Sequence, residues 1–393
     1  MENVKILNQD HFGRGIAKID GKTYFIEYAL PGENVDIEIV KDKSKYTVAK
    51  VKDYKNITDC PYYLECGGCH ILHQKYTEQL KFKENKVKEI VSKYLNNDIK
   101  VNDIIYSEQF NYRNKIVLHA NGKKLGFYKS KTNDIVYISK CLLVDERINK
   151  IIIDLNKYFE NYPFTGDVKI RVSNNEIMLS ITGNVNKSIK DYVNVDVLII
   201  NDEYLTEKKY LIDKLDNLKF KISDKSFYQV NIYNTINLYN LVINFYKENN
   251  YKTVLDLFSG TGTITLLVSK YVENITGIEI IDDAVVDANF NKDLNNIINA
   301  DFICGKVEDY IDKFKDIDSI IVDPPRSGLD NKTIENILRI KPKSICYVSC
   351  EVNTLVRDLK LLNDNYEIVS ITPVDMFPNT YHVETVTLMI LKK

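Results

Sequence analysis

The hydrophobic pattern changes twice along the chain and divides it into three segments. In residues 1–52, apolar Val35, Ile37 and Ile39 alternate with acidic Asp36 and Glu38, as in a strand buried on one face. Five residues that favour tight turns punctuate this segment at short intervals: Gly13, Gly15, Gly21, Pro31 and Gly32. We therefore predict a small all-β barrel here.

The second segment, residues 53–222, opens with a helical pattern and continues with short strands. Leu80, Val87, Val91 and Tyr94 fall near one face of a predicted helix. Strands are predicted at KIVLHA, IVYIS, VKIRV and EIMLSIT. A mostly-β central domain is expected.

The third segment, residues 223–393, alternates apolar strands with amphipathic helices. Its strand-like runs are TVLDLF, NITGIEI, ADFICG, DSIIVD and KSICYVS, and ETVTLMILKK is predicted to be the last strand. This rhythm indicates βαβ units, and hence a Rossmann-like α/β domain with a doubly wound, mainly parallel sheet.

Composition narrows the class of protein. The 393 residues contain no apolar run of the roughly 20 residues that span a bilayer. The first residues lack the apolar stretch of a secretory signal, so we expect a cytoplasmic protein. Seven cysteines in that reducing compartment indicate metal binding or catalysis rather than disulfides.

The net charge is −2, so RNA binding would depend on local positive patches rather than on an overall positive charge. The stretch KDKSKYTVAKVKDYK carries six lysines against two aspartates, with Tyr46 among them. A basic, aromatic β surface suits nucleic acid. A solvated edge strand is an equally good interpretation of this stretch alone.

A glycine turn follows the strand TVLDLF. Gly260 and Gly262 there allow a ligand to approach the backbone, and Glu279 ends the next strand, 19 residues after Gly260, where an acid can bind ribose hydroxyls. Thr265 takes the place of the third glycine of the dinucleotide fingerprint. The turn therefore favours S-adenosylmethionine over nicotinamide cofactors, although a glycine turn alone is a weak signal.

Asp323 opens a second predicted ligand loop, DPPR, after the fourth strand. Two consecutive prolines stiffen this loop at the carboxyl end of its strand, where ligands bind in such sheets. A plain turn is the alternative interpretation.

Three cysteines lie in or at the end of predicted strands. Cys304 and Cys346 fall inside apolar runs and are expected to be buried core thiols. Cys350 falls where the fifth strand ends and the ligand crevice opens. A thiolate there could add to C6 of a uracil, which makes C5 nucleophilic toward a sulfonium methyl group.

Such a reaction needs a base that removes the C5 proton. Glu384, at the start of the last strand, is our candidate, and His382 on the same strand face competes with it. Spacing alone does not single out Glu384.

Five stretches in the C-terminal half resemble the RNA uridine-5-methyltransferases: FYQVN from Phe227, LDLFSGTG, VDPPRSG, YVSCEVNTLVRDL and FPNTYHVETV. The resemblance implies that Cys350 is the nucleophile and Glu384 the proton acceptor. It also implies that S-adenosylmethionine contacts four residues: Gln229, Phe258, Glu279 and Asp323. One departure is Glu351-Val352, where the family commonly has Asn-Pro after the nucleophile.

The N-terminal half extends the resemblance over essentially the whole chain. GRGIAKIDGKTYFIEYALPGENV looks like a TRAM domain, an RNA-binding barrel. Four cysteines match the family's ligands for a [4Fe–4S] cluster: Cys60, Cys66, Cys69 and Cys141. Structural zinc, which also accepts four cysteines, is the alternative.

Members with both features generally act on large-subunit ribosomal RNA, so 23S rRNA is the expected partner and transfer RNA the alternative. A monomer is expected. Radical S-adenosylmethionine enzymes also combine TRAM with a cluster, but their Cys-x3-Cys-x2-Cys motif is missing from this sequence. A non-catalytic RNA-binding protein would leave Cys350 and Glu384 without a role.

Overall fold

The computed structural model describes residues 1, 3–53, 58–95, 98–130 and 132–393. Residues 54 and 55, the end of the lysine-rich stretch, lie outside the described residues. No described helix is long and apolar enough to cross a membrane.

The N-terminal segment is an all-β module, as predicted. Strands β2-β3-β4-β7-β6 form one sheet in that order, and β1 pairs with β5. Ile39 is half exposed, contrary to the predicted alternation, and a bulge directly after it shifts the pairing of β6 with β7. The strands are β1 (Val4–Lys5), β2 (Asn8–Gln9), β3 (Gly15–Ile19), β4 (Lys22–Glu27), β5 (Asn34–Val35), β6 (Ile37–Asp42) and β7 (Tyr46–Val51).

The central segment is mostly β, as predicted. Seven strands form a sheet in the order β10-β9-β8-β11-β12-β13-β14, with one helix against it and a separate β15–β16 hairpin. Its elements are α1 (Tyr76–Tyr94), β8 (Lys115–Gly122), β9 (Leu125–Tyr128), β10 (Ile135–Tyr137), α2 (Glu146–Asn161), β11 (Phe164–Ser173), β12 (Glu176–Gly183), β13 (Val197–Ile200), β14 (Glu203–Tyr204), β15 (Leu211–Leu215) and β16 (Leu218–Ile222), with a 3₁₀ helix at Lys187–Asp191.

The C-terminal segment is a seven-stranded sheet in the order β19-β18-β17-β20-β21-β23-β22. All neighbours are parallel except β23, which is antiparallel to β21 and β22. The elements are α3 (Asn234–Glu248), β17 (Thr253–Leu257), α4 (Thr263–Ser269), β18 (Asn274–Glu279), α5 (Asp282–Leu294), β19 (Ala300–Cys304), α6 (Val307–Tyr310), β20 (Ser319–Val322), α7 (Asn331–Ile340), β21 (Ser344–Ser349), α8 (Val352–Leu362), β22 (Tyr366–Val374) and β23 (Glu384–Leu391), with a 3₁₀ helix at Ile311–Lys313.

Helices cover both faces of this sheet, which explains its continuous apolar runs. Along β21, Ile345 and Tyr347 enter one hydrophobic core, whereas Cys346 and Val348 enter the core on the opposite face. The burial predicted for Cys346 is confirmed. Cys304 is exposed, contrary to prediction, because it is the last residue of the edge strand β19.

Helix α1 packs into the C-terminal core rather than onto the central sheet. Leu80, Val87 and Val91 join the core beneath α8 and β22, while Tyr94 at the helix end is half exposed, contrary to the predicted face. Lys83, fully buried on this helix, forms an ion pair with buried Asp375 after β22. The central and C-terminal segments are therefore joined through a shared core.

Candidate functional site

The residues predicted to bind cofactor and substrate meet at one edge of the C-terminal sheet. Phe258 follows β17, Glu279 ends β18, Asp323 follows β20 and Cys350 follows β21. Because these strands are parallel, their carboxyl ends open onto the same crevice. The crevice lies between β17 and β20, neighbours from which the chain continues to opposite sides of the sheet.

The turn between β17 and α4 has an unusual backbone. Phe258 has a φ of +68°, which costs a residue with a side chain about 1–3 kcal/mol. At Gly262, with a φ of +78°, a Cβ would lie 2.5 Å from the ring of Phe302. A Cβ on Gly260 would meet no described atom within 4 Å. The turn therefore leaves open space beside its backbone.

Glu279 is fixed at the side of this turn. Its two carboxylate oxygens accept hydrogen bonds from the backbone N–H groups of Gly260, at 3.0 Å, and Ile281, at 2.9 Å. Each oxygen retains acceptor capacity for a ligand. Ile280 and Ile281 are 53% and 57% exposed and add an apolar surface beside this acid. Our sequence analysis missed them, although the run IEII after the strand was the available signal.

Thr265, which stands where the dinucleotide fingerprint has its third glycine, makes a hydrogen bond that glycine could not make. Its hydroxyl donates to a carboxylate oxygen of Asp256 at 2.5 Å within the core. Burial raises the pKa of Asp256 to about 7, an effect that the Thr265 bond opposes. The other oxygen of Asp256 and the hydroxyl of Ser259 are buried and have no hydrogen-bond partner among the described residues. Two buried polar groups without a described partner thus lie next to the turn.

Cys350 and Glu384 lie opposite each other across two antiparallel strands. Ser349 pairs with Thr385, so the next pair outward in this register is Cys350 and Glu384. Burial, together with the charges of Glu384 and Asp323, raises the pKa of Cys350 to about 11, and Arg326 opposes this rise. Burial, reinforced by Asp323, raises the pKa of Glu384 to about 8. We refer to Cys350, Glu384, Asp323 and Arg326, whose charges act on one another, as one electrostatic group.

Gln229 joins the same group through Tyr239. Burial raises the pKa of Tyr239, and the nearby Asp323 adds to the rise, whereas a side-chain hydrogen bond with Gln229 opposes it. Burial also raises the pKa of Asp323 to about 7. The structure thus brings Gln229, Asp323, Cys350 and Glu384 together, and our sequence analysis missed Tyr239.

His382 is a poorer base than Glu384. Burial, together with the positive charges of Arg326 and Lys86, lowers its pKa to about 3. Its ring lies 4.3 Å from that of Tyr381. A group that stays neutral until pH 3 has little tendency to accept a proton at neutral pH.

The departure after Cys350 preserves the start of α8. Glu351 is the N-cap residue, and its carboxylate accepts hydrogen bonds from the backbone N–H and the side-chain amide of Asn353, at 3.2 and 2.8 Å. Val352 is the first helical residue. Asn and Pro favour these same two positions, so Glu351-Val352 supplies a similar helix start.

Helix α8 also holds the loop that carries Arg326. Arg357 donates to the carbonyls of Ser327 and Leu329, both at 2.9 Å, and Thr354 donates to the carbonyl of Arg326 at 3.1 Å. Arg357 lies in the motif YVSCEVNTLVRDL, which by itself indicated no role for it. Its contacts join the loop that follows β20 to helix α8.

The four predicted cluster ligands line one cavity of about 550 Å³: Cys60, Cys66, Cys69 and Cys141. All four are free thiols. Burial raises the pKa of Cys66 to about 11, and the neighbouring Cys141 and Cys60 add to this rise. However, within the described parts of the chain no three His, Cys, Asp or Glu side chains are arranged to hold a metal ion.

Comparisons with known proteins identify the family of this chain. The tRNA (Uracil-5-)-methyltransferase family model matches residues 184–393, and the TRAM domain model matches residues 2–52. Proteins named as uncharacterized RNA methyltransferases include one of Clostridium tetani, 32% identical over 98% of this chain and 95% of the relative. Another, of Listeria innocua, is 33% identical over 100% of this chain and 98% of the relative.

A solved structure resembles the whole chain. It is the Pyrococcus abyssi tRNA (uracil-54, C5)-methyltransferase in complex with S-adenosyl-L-homocysteine. The two chains are 27% identical with a TM-score of 0.83, and the match covers 99% of each chain.

Proposed function

Because this chain belongs to the tRNA (uracil-5-)-methyltransferase family and is an RNA methyltransferase, we propose that Cys350 and Glu384 methylate carbon 5 of a uridine. The observation that carries this proposal is their position opposite each other, directly after β21 and at the start of β23. A nucleophile and a base on facing strands can act on neighbouring carbons of one pyrimidine ring.

In the proposed reaction, the Cys350 thiolate forms a bond to C6, and the electrons of the C5–C6 double bond move toward C5. S-adenosylmethionine supplies the methyl group that C5 takes, and S-adenosylhomocysteine leaves. Glu384 then accepts the C5 proton, the C5–C6 double bond re-forms and Cys350 is released. The raised pKa of Glu384, about 8, suits this acceptor because it is close to the working pH.

The crevice fits S-adenosylmethionine. We propose that the ribose hydroxyls bind Glu279, while Phe258, Gln229 and Asp323 contact the rest of the cofactor. The open space beside Gly260 and the unpartnered oxygen of Asp256 support this assignment. A sulfonium cation also suits a group of buried carboxylates whose pKa values are raised, because it favours their charged forms.

Trapping on RNA that contains 5-fluorouridine tests this mechanism. Fluorine at C5 cannot leave as a proton, so the Cys350 adduct should persist in the presence of S-adenosylmethionine. Cys350→Ala should form no adduct and lose methyl transfer, whereas Cys304→Ala, which removes an exposed thiol, should retain both. Full activity of Cys350→Ala would refute the mechanism.

We propose 23S rRNA as the substrate because the chain combines a TRAM domain with the four cysteines. Transfer RNA is the second candidate, since the Pyrococcus abyssi tRNA enzyme matches this chain over its whole length. Mapping 5-methyluridine in both RNAs from a deletion strain distinguishes them. Loss of the methyl group from transfer RNA with unchanged 23S rRNA would overturn the first choice.

We also propose that Cys60, Cys66, Cys69 and Cys141 hold a [4Fe–4S] cluster. In such a cluster each thiolate binds a different iron, so the ligands stand farther apart than four ligands of one zinc ion. Four thiols around one cavity without a compact ion-binding group are compatible with that spacing. The cluster would hold this loop together through its four iron–sulfur bonds.

This loop adjoins the segment that leads to Glu384. The backbone N–H groups of His70 and Ile71, directly after Cys69, donate to the carbonyl of Asn379 at 3.0 and 3.1 Å. We therefore propose a structural role for the cluster, which would stabilise the catalytic segment through these two bonds.

A further inference from the structure

A second cavity, of about 440 Å³, lies between the N-terminal module and the segment before Glu384. Its lining includes four rings, those of Phe12, Tyr28, His70 and Tyr381, together with Cys66 and Cys69 of the four-cysteine site. Phe12 meets Tyr381 edge to face with ring centroids 5.4 Å apart, and His70 lies 4.4 Å from Tyr381. The cavity is large enough for a small planar ligand.

Phe12 is 57% exposed, although a phenylalanine gains free energy by burial. Its loop is nevertheless well ordered by hydrogen bonds: Asp10 accepts from the backbone N–H groups of Phe12 and Arg14, at 3.0 and 2.9 Å. Gly13 packs so closely that a Cβ would lie 2.3 Å from the side chain of Ile71. The exposed ring is therefore held in a defined position.

The charges around the cavity favour a base over a phosphate. Arg14 is already paired with Asp10, at 2.6 Å, and Glu27 contributes a carboxylate to the lining. A carboxylate repels a phosphate but accepts hydrogen bonds from the N–H groups of a nucleobase. Aromatic rings stack on any base, because every base has a π face.

Tyr381 also belongs to the segment that leads to the proposed catalytic residue Glu384. Tyr381 lies three residues before Glu384, so their Cα atoms are at most roughly 10 Å apart. An RNA strand that delivers a uridine to Cys350 therefore passes close to Tyr381.

We propose that Phe12, His70 and Tyr381 form a stacking site for a nucleobase that flanks the target uridine. This inference deepens the proposed function and rests on RNA being the substrate. The TRAM module then acts directly in positioning RNA at the catalytic segment, by contributing one wall of the site. The site takes a base that is unpaired and unstacked, because neighbouring bases cover both faces of a base within a helix.

Binding of fluorescein-labelled decauridylate to the full chain, measured by anisotropy, tests this site. Phe12→Ala and Tyr381→Ala should each raise the Kd by about fivefold or more, because each removes a stacking partner. Tyr381→Phe keeps the ring and should stay within about twofold. Tyr94→Ala removes another half-exposed tyrosine that lies beside a lysine, and should also stay within about twofold.

A second readout locates the base. An oligouridylate with one 5-fluorouridine, trapped on Cys350, carries 2-aminopurine at each neighbouring position in turn. Fluorescence should be quenched at one position, and Phe12→Ala should relieve that quenching. An adduct with unchanged Kd and quenching in both alanine variants would overturn the stacking site while leaving the proposed mechanism intact. A changed Kd without any adduct would overturn the mechanism and support the site.

Discussion

Cys350 and the four cysteines of the central segment differ in where their positive charge comes from. Burial raises the pKa of Cys350, but Arg326 of the same chain opposes the rise. For Cys69, burial and the other three thiols raise the pKa, and Arg113 opposes them. In each site one guanidinium faces several acidic groups: Cys350, Glu384 and Asp323 in the first, and four thiols in the second. We propose that bound cations supply the remaining positive charge, a sulfonium in the first site and iron in the second.

We propose that Cys350 acts in the reaction, whereas the four cysteines of the central segment stabilise the structure. Cys350 lies opposite Glu384 and is partly exposed, so we propose that its thiolate is available to a substrate. The four thiols line a cavity whose loop braces the segment before Glu384. We expect substitutions in the two sites to have opposite effects on activity and on stability, as the following predictions specify.

The largest contrast is expected between Cys66→Ser and Cys350→Ala. Cys66→Ser should remove iron and the brown visible absorbance, and should lower the melting temperature because the loop loses a ligand. Cys350→Ala should keep the iron, the colour and the melting temperature while methyl transfer falls to background. Iron analysis and thermal unfolding of both variants, beside Cys304→Ser as a control thiol, measure this. An unchanged melting temperature without iron would refute a structural cluster.

Glu384→Gln should separate formation of the Cys350 adduct from the proton removal that releases Cys350. Gln cannot accept the C5 proton, so turnover should fall roughly 10²–10⁴-fold, whereas Cys350 can still form its bond to C6. Adduct should therefore accumulate on ordinary uridine RNA, as seen by gel shift under denaturing conditions. His382→Gln is the matched control and should accumulate no adduct. Adduct accumulation in His382→Gln instead would transfer the role of base to His382.

The same Glu384→Gln variant should be more stable than the wild type at high pH. The pKa of Glu384 rises from 4.5 to about 8 on folding, so between these values the folded chain binds more protons and its stability falls as pH rises. Gln cannot ionise, so the variant does not lose this stability as pH rises. The free energy of unfolding should increase by roughly 1–3 kcal/mol at pH 8 and change little at pH 5. Denaturant unfolding at both pH values measures it, and equal effects would contradict the raised pKa.

The smallest expected effect concerns cofactor affinity. Asp256 and Asp323 have pKa values raised to about 7, and a sulfonium cation favours their ionised forms. Binding should release protons, and the Kd of S-adenosylmethionine should fall roughly three- to tenfold between pH 6 and 8. S-adenosylhomocysteine, which lacks the sulfonium charge, should show a smaller change. Calorimetry in buffers of different ionisation enthalpy checks both, and identical pH profiles would exclude this coupling.

The sequence determined the parallel sheet and the places of its chemistry. Apolar runs that end in Phe258, Glu279 and Asp323 predict strands whose carboxyl ends must share one edge, because parallel strands align their ends. The same reasoning placed Cys350 at the crevice. The roles of Gln229 and Glu384 came from the family resemblance, and their contacts show that both join this group.

Tertiary structure alone decided which distant segments meet. Neither the packing of α1 beneath α8 nor the contact of Phe12 with Tyr381 follows from local periodicity, since periodicity reports a buried face and not its partner. Cys304 shows the same limit, because its apolar run predicts burial while its place at the end of an edge strand exposes it. The pKa of Glu384 likewise depends on desolvation by surrounding segments, which a linear pattern does not contain.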